Sequence, residues 1–171
     1  MKKQLAFILF GTLLLVSCGS ESMDDDGPNP DPDPDPSPTT GTLYTGPSIT
    51  FQKAGFADPT QETNQDRITD AVWITRGDRQ GIYNAVSENS YSKNSSPSGT
   101  EWAEGRLSSF QNLNYTDWET AVGGNPPGSV GKTYVVHLIS EDIYLELEVL
   151  AWGQGSTSGG SFSYRRTTPA P

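Results

Sequence analysis

The chain has 171 residues and a formal net charge of −10, with 21 acidic residues against 11 basic ones. Because it lacks a basic face, the composition argues against nucleic-acid binding and against binding of a folded domain to anionic lipid. The single cysteine excludes an intrachain disulfide.

The first eighteen residues carry the most specific pattern in the chain. Two lysines precede an apolar run over residues 5–16, which is too short to span a bilayer as a permanent helix. The run ends in the motif Leu15-Val16-Ser17-Cys18. This motif resembles the cleavage site of bacterial lipoproteins. The resemblance implies a signal peptide over residues 1–17, and a mature chain whose Cys18 carries acyl chains such as palmitate. Two or three such chains hold a protein stably on a membrane, so membrane contact is expected through the lipid anchor only.

Residues 18–42 are predicted to form an acidic, proline-rich tether. Gly19 stands where enteric bacteria use Asp as an inner-membrane retention signal, so the resemblance implies an outer-membrane lipoprotein. The acidic run at 24–26 resembles a surface-export signal of some Gram-negative bacteria and implies the cell surface; a solvated acidic linker explains it equally well. Alternating prolines over 27–40 keep the chain extended, reaching on the order of 40 Å.

Residues 43–171 are predicted to form one all-β domain. Glycines, prolines and small polar residues divide this stretch into short segments rich in β-branched and aromatic residues. One short helix is predicted over 116–122, with Thr116 as N-cap and Glu119 completing a capping box. Such short strands, separated by turn signals, favour an antiparallel two-sheet sandwich of jelly-roll-like or immunoglobulin-like type. Strands are predicted at 48–53, 71–76, 81–86, 100–103, 113–115, 132–139, 143–152 and 161–166.

The segment 143–152 shows the clearest strand pattern. One alternating set, Ile143, Leu145, Leu147, Val149 and Ala151, is predicted to face the core. The segment 134–139 is apolar on both faces, which predicts a central strand covered on both sides.

Several stretches of the domain are similar to a known module: NQDRITDAVWITRG (64–77), SPSGTEWAEG (96–105), NPPGSVGKTYVVHLISEDIYLELEVLAWG (125–153) and GGSFSYRRTTP (159–169). They resemble an all-β module of secreted and cell-surface bacterial proteins for which no activity is established. The resemblance implies an extracellular location and an intact domain over nearly all of 43–169. It implies no catalytic or binding residue.

Paired carboxylates suggest one candidate site. Glu146 and Glu148 are predicted to share a strand face, about 6.5 to 7 Å apart, with Tyr144 and Trp152 on the same face. Two carboxylates beside aromatic rings are typical of glycoside hydrolases. The same pattern fits a sugar-binding platform or an ordinary solvated face.

Other candidate ligand-binding residues are aromatic. Among the four tryptophans, Trp73 is predicted to be buried, whereas Trp102 and Trp118 lie beside acidic residues and are predicted to be more exposed. We therefore group Trp102 and Trp118 with Tyr144, Glu146, Glu148 and Trp152 as candidates for ligand binding.

An acidic, amide-rich loop precedes the strand at 71–76. Its Asn64, Asp66 and Asp70 offer the oxygen ligands that calcium accepts in extracellular domains. Calcium is thus a possible cofactor, and a surface ion pair made by Asp66 is the alternative.

The functional expectation follows from location and from missing catalytic groups. His137 is the only histidine, and it lies within an apolar strand, where a satisfied, partly buried side chain is expected. We predict no catalytic residue and a surface-exposed, lipid-anchored, non-enzymatic binding or structural module whose partner is a glycan or a protein. The alternative is an extracellular glycoside hydrolase that uses Glu146 and Glu148.

Overall fold

The computed structural model describes residues 41–171. The predicted signal peptide (1–17), the lipidation site Cys18 and all but the end of the predicted tether (18–42) lie outside the described residues. Across residues 41–171, no helix has the length and apolar character needed to cross a membrane.

The described chain contains one α-helix, α1 (Trp118–Ala121), and the strands β1 (Thr42–Tyr44), β2 (Gly46–Lys53), β3 (Asp66–Arg67), β4 (Trp73–Arg76), β5 (Ile82–Asn84), β6 (Thr100–Glu104), β7 (Thr133–Leu138), β8 (Ile143–Trp152) and β9 (Phe162–Thr168). Short 3-10 turns lie at Glu62–Asn64, Leu107–Asn112, Pro126–Ser129 and Ser156–Ser158.

The strands form a large sheet and a small sheet. The large sheet has the order β2-β9-β8-β7-β6, with antiparallel neighbours, and the small sheet has the antiparallel order β3-β4-β5. Strand β1 pairs in parallel with the first three residues of β8. Strand β1 lies on the same side of β8 as β9, beside the first residues of β8, which β9 does not reach because the β8–β9 pairing begins only at Leu147. The prediction of an all-β, two-sheet sandwich is confirmed.

The main core lies between the two sheets. Ile74 and Ile82 of the small sheet belong to the same buried cluster as Leu145 and Leu147 of β8. A second cluster covers the other face of the large sheet, where Val135 packs with residues of the 107–115 segment. Because both faces of β7 are covered, its residues are apolar on both sides, as the sequence predicted for a central strand.

A β-bulge near Leu150 changes the alternation within β8. Up to Val149 the predicted core set is correct, but the register with β9 shifts between Val149 and Ala151. A bulge adds one unpaired residue, so the side chains beyond it exchange faces. Ala151 is therefore exposed, contrary to the prediction, and Trp152 packs against the main core.

The helix is shorter than predicted and is capped by another residue. Asp117 is the N-cap, and its Oδ1 accepts a hydrogen bond from the Thr120 backbone N–H at 3.0 Å. The predicted capping box of Thr116 and Glu119 is wrong, because Glu119 binds outside the helix, at Tyr91 and Asn94.

Two further differences concern the strands. The predicted strand at 113–115 is replaced by a single bridge between Thr116 and Trp102. Strands β1 and β3 were not predicted, since each has only two or three residues and is held by its pairing partner rather than by local propensity.

Candidate functional site

An open pocket of about 360 Å³ lies at the end of the sandwich where β4 and β8 both terminate. We call it the aromatic pocket, because Tyr91, Trp118 and Trp152 form its apolar wall. Trp152 is the last residue of β8, Trp118 is the first residue of α1, and Tyr91 lies in the loop between β5 and β6. Its polar lining includes Arg76, Gln80, Lys93, Glu119 and Gln154.

The three aromatic rings form a continuous packed wall. Trp118 and Trp152 lie 5.6 Å apart between ring centroids at a tilt of 31°, and Tyr91 meets Trp118 edge to face at 6.3 Å. The wall depends on Gly81, because an added Cβ there would overlap the rings of both Tyr91 and Trp118. Trp152 faces this pocket only because of the bulge in β8, which directs its side chain to the core side of the sheet.

Arg76 is the most buried charged group of the pocket, with only 4% of its surface exposed. Its guanidinium lies over the Trp152 ring at 3.9 Å from the ring centroid. Nε donates to the Gln80 carbonyl at 2.8 Å, while Nη1 donates to the carbonyls of Gly153 (3.1 Å) and Ser161 (2.9 Å). Arg76 therefore joins the end of β4 to the β8–β9 hairpin, and the removal of its charge from water lowers its pKa to about 10.

Glu119 holds the loop that carries Tyr91. Its Oε2 accepts hydrogen bonds from the Tyr91 hydroxyl and the Asn94 backbone N–H, both at 2.5 Å. The bond from Tyr91, and after it the bond from Asn94, lowers the pKa of Glu119. Burial, and then the bond to Glu119, raises the pKa of Tyr91 to about 12. At neutral pH the rim therefore carries an ionised Glu119 bound to a neutral phenol.

The predicted ligand-binding aromatics separate into two groups. Trp118 and Trp152 line the aromatic pocket, although Trp118 is only 3% exposed. Trp102 is 1% exposed, and its indole N–H donates to Thr100 Oγ1 within the core. The predicted exposure of Trp102 and Trp118 is therefore wrong, because their large rings fill the space between the sheets. Trp73, predicted to be buried, is half-buried with Arg67 stacked on its ring at 4.0 Å.

Tyr144 and His137 lie on the other face of the large sheet. Their rings stack in parallel with centroids 4.2 Å apart, and His137 Nε2 lies 3.2 Å from Asp142 Oδ1. Tyr144 is buried in the second core cluster rather than exposed beside the glutamates. His137 is partly buried and satisfied, as the sequence predicted.

Glu146 and Glu148 share the outer face of β8, as expected, but each is paired with an arginine. Glu146 forms an ion pair with Arg106 at 3.0 Å and also accepts from the Leu107 backbone N–H at 2.9 Å. Glu148 pairs with Arg165 on the neighbouring strand. They line a separate depression of about 220 Å³. Trp152 does not lie beside them, because it is on the core side beyond the bulge, so the predicted platform of two glutamates and two aromatic rings is not assembled.

The predicted calcium ligands are not brought together as a site. Asp66 is buried, and its oxygens accept from Arg166 at 2.6 and 2.8 Å and from the Tyr164 hydroxyl at 2.7 Å. Asn64 is bonded within its loop to the Asp58 carbonyl, and Asp70 is exposed. Among residues 41–171, no three His, Cys, Asp or Glu side chains cluster as metal ligands would. The calcium prediction fails because Asp66 neutralises a buried arginine instead, as a core ion pair rather than the surface pair considered from the sequence.

Trp118 and Trp152 are the only residues of the aromatic pocket that the sequence predicted as ligand-binding; those it did not predict include Arg76, Tyr91 and Glu119. One signal was available, since Arg76 is a charge at the end of a predicted strand whose preceding residues include the apolar Val72, Trp73 and Ile74. Nothing local distinguishes Tyr91, which lies in a loop rich in Ser and Asn. No family model, curated protein sequence or solved structure matches the chain.

Proposed function

We propose that this protein is a lipid-anchored module of the bacterial outer surface that binds a glycan in the aromatic pocket and catalyses no reaction. The location is supported by the lipoprotein-like cleavage motif that ends at Cys18, the lipobox, and by the acidic, proline-rich segment that follows it. A proline-rich segment of that length holds a domain away from the bilayer, where large extracellular ligands are accessible.

The observation that carries the binding proposal is the composition of the aromatic pocket. Small-molecule sites are concave, lined mainly by apolar and aromatic side chains, and supplied with a few polar groups that orient the ligand. The wall of Tyr91, Trp118 and Trp152 meets the first condition. The side chains of Gln80, Lys93 and Gln154 at the rim meet the second, because they can exchange hydrogen bonds with sugar hydroxyls.

Rigidity of the wall supports the same proposal. Tyr91 is tied through Glu119 to α1, and Trp152 is held between the core and the guanidinium of Arg76. A preformed site loses little conformational entropy when it binds a ligand.

A glycoside hydrolase remains the second candidate because Glu146 and Glu148 do lie on one strand face within one depression. Each carboxylate is already engaged by an arginine, and Glu146 also by the Leu107 backbone N–H, whereas glycoside hydrolysis needs both carboxyl groups to act on the scissile bond. We therefore place binding ahead of hydrolysis.

A glycan array tests both candidates with the chain from residue 38 onward, whose described residues, 41–171, belong to one compact unit. We expect binding without release of reducing ends, and a loss of about thirtyfold in affinity in Trp152→Ala, as for a buried aromatic anchor. Trp73→Ala is the matched control, because it removes a half-buried indole outside the pocket, and thermal melts of both variants verify folding.

Other outcomes distinguish the alternatives. Reducing ends that disappear in Glu146→Gln would support the hydrolase instead. Binding that is equally strong in Trp152→Ala would place the glycan elsewhere. No binding on the array, together with recovery of a specific protein partner whose binding is lost in Trp152→Ala, would show that the ligand is a protein and not a glycan.

A further inference from the structure

Arg76 is a buried cation without an anionic partner in the described part of the chain. The other buried arginine, Arg166, is neutralised by Asp66 at 2.6 Å. Arg76 has no carboxylate within ion-pair distance among residues 41–171 and bonds only to backbone carbonyls. A charged group taken out of water is normally paired, and an unpaired one is costly to the folded state.

The hydrogen bonds of Arg76 leave one nitrogen of the guanidinium, Nη2, without a partner among residues 41–171. A guanidinium has five N–H donors. One on Nε and two on Nη1 are used by the carbonyls of Gln80, Gly153 and Ser161. The two on Nη2 meet no acceptor within residues 41–171, and Arg76 lines the aromatic pocket. The bonds that join the strand ends thus fix the guanidinium, and its Nη2 donors are the ones left for a ligand of the pocket that Arg76 lines.

The surroundings of Arg76 favour a small anionic group. The lining contains two cations, Arg76 and Lys93, and one carboxylate, Glu119, whose Oε2 is already engaged by Tyr91 and Asn94. An N–H on Nη2 can donate a charge-assisted hydrogen bond to a carboxylate oxygen, which is stronger than a bond between neutral groups. The whole chain is strongly acidic, at −10, so a long polyanion would be repelled whereas a single acidic sugar residue would not.

We propose that the aromatic pocket selects a hexuronic acid residue of a glycan, with the sugar carboxylate bound by Nη2 of Arg76 and the sugar ring against the aromatic wall. This inference rests on the proposed function, since it names the ligand class of the same pocket. A sugar acid fits better than a peptide carboxyl terminus. The sugar ring presents an apolar face to the aromatic wall beside Arg76, which a peptide backbone does not.

The test compares a trisaccharide that contains one hexuronic acid residue with its carboxyl-reduced, neutral counterpart by isothermal titration calorimetry on the chain from residue 38. The wild type is expected to bind the acidic trisaccharide at least tenfold more tightly, because a charge-assisted bond replaces one to a hydroxyl. Arg76→Gln is expected to lower the affinity for the acidic sugar to that for the neutral one. Arg165→Gln removes an exposed arginine outside the pocket, so it controls for net charge and should preserve the preference.

A second measurement keeps the inference testable if Arg76→Gln does not fold. In the wild type, the side-chain ¹⁵N resonances of Arg76 should shift with the acidic trisaccharide and not with the neutral one. Equal affinity for the two sugars would overturn the inference while leaving a glycan-binding pocket in place. Absence of binding to either sugar on a protein that also binds nothing on the array would instead overturn the proposed function itself. Tighter binding of a tripeptide with a free carboxyl terminus than of the acidic sugar would also overturn the inference.

Discussion

At the scale of single residues, Asp66 shows how a polar side chain can serve the core. It lies on β3 of the small sheet, and its partners Tyr164 and Arg166 lie on β9 of the large sheet. The three groups satisfy one another away from water, and burial followed by the charge of Asp66 raises the pKa of Tyr164 well above its ordinary value. This network joins residues that lie about a hundred positions apart in the sequence, and it thereby links the two sheets.

Asp66→Asn is expected to destabilise the domain by about 3 to 5 kcal/mol, because it leaves Arg166 as an uncompensated buried charge. Glu148→Gln is the matched control: it breaks the solvent-exposed ion pair with Arg165 and should cost less than about 1 kcal/mol. Urea denaturation of both variants measures the difference. Similar losses in the two variants would show that the Asp66 network contributes no more than a surface pair.

At the scale of elements, β8 determines much of the molecule. It pairs with β7, β9 and β1, it supplies the centre of the main core, and its terminal bulge directs Trp152 into the aromatic pocket. The same strand therefore contributes stability along most of its length and the candidate site at its end.

Two leucines of β8 allow a direct comparison. Leu147 is 1% exposed and Leu150, at the bulge, is 38% exposed. Leu147→Ala should cost about 2 to 5 kcal/mol through lost burial and a residual cavity. Leu150→Ala should stay within about 0.5 kcal/mol of the wild type. Thermal and chemical denaturation give both values, and equal effects would contradict the core position of Leu147.

At the scale of the whole molecule, the sandwich and its predicted anchor have separate tasks. Residues 41–171 contain the sheets, the cores and the aromatic pocket. The predicted lipidation site, Cys18, lies outside them, and that prediction concerns location alone.

Cys18→Ser is expected to abolish both labelling with a palmitate analogue and attachment to membranes, because acylation requires the thiol. Ser20→Ala, two residues further on, should retain both and is the control. Globomycin treatment of the wild type should cause the precursor to accumulate. A Cys18→Ser protein that is unlabelled yet still bound to membranes would overturn the lipid-anchor proposal.

The class of fold could be predicted because it depends on local pattern. Alternating apolar residues in 143–149 and the doubly apolar segment 134–139 identify strands wherever they lie in space, and the short segments between turns exclude a helical fold. The positions of the β8 bulge and of the helix N-cap were harder to predict. A bulge depends on the partner strand, and an N-cap depends on which of two adjacent residues, Thr116 or Asp117, reaches the helix N–H groups.

The sequence by itself determined the all-β architecture, the buried strands and the predicted location at the membrane, since each follows from the order of neighbouring residues. Only the tertiary structure decided the candidate site. Arg76 meets Gly153 and Ser161 across more than seventy residues, and Trp152 joins it there only because the register shift exchanges its face. Contacts of this kind depend on which strands pair and in what register. That choice is made by the free energy of the whole packed chain, so no short stretch of sequence contains it.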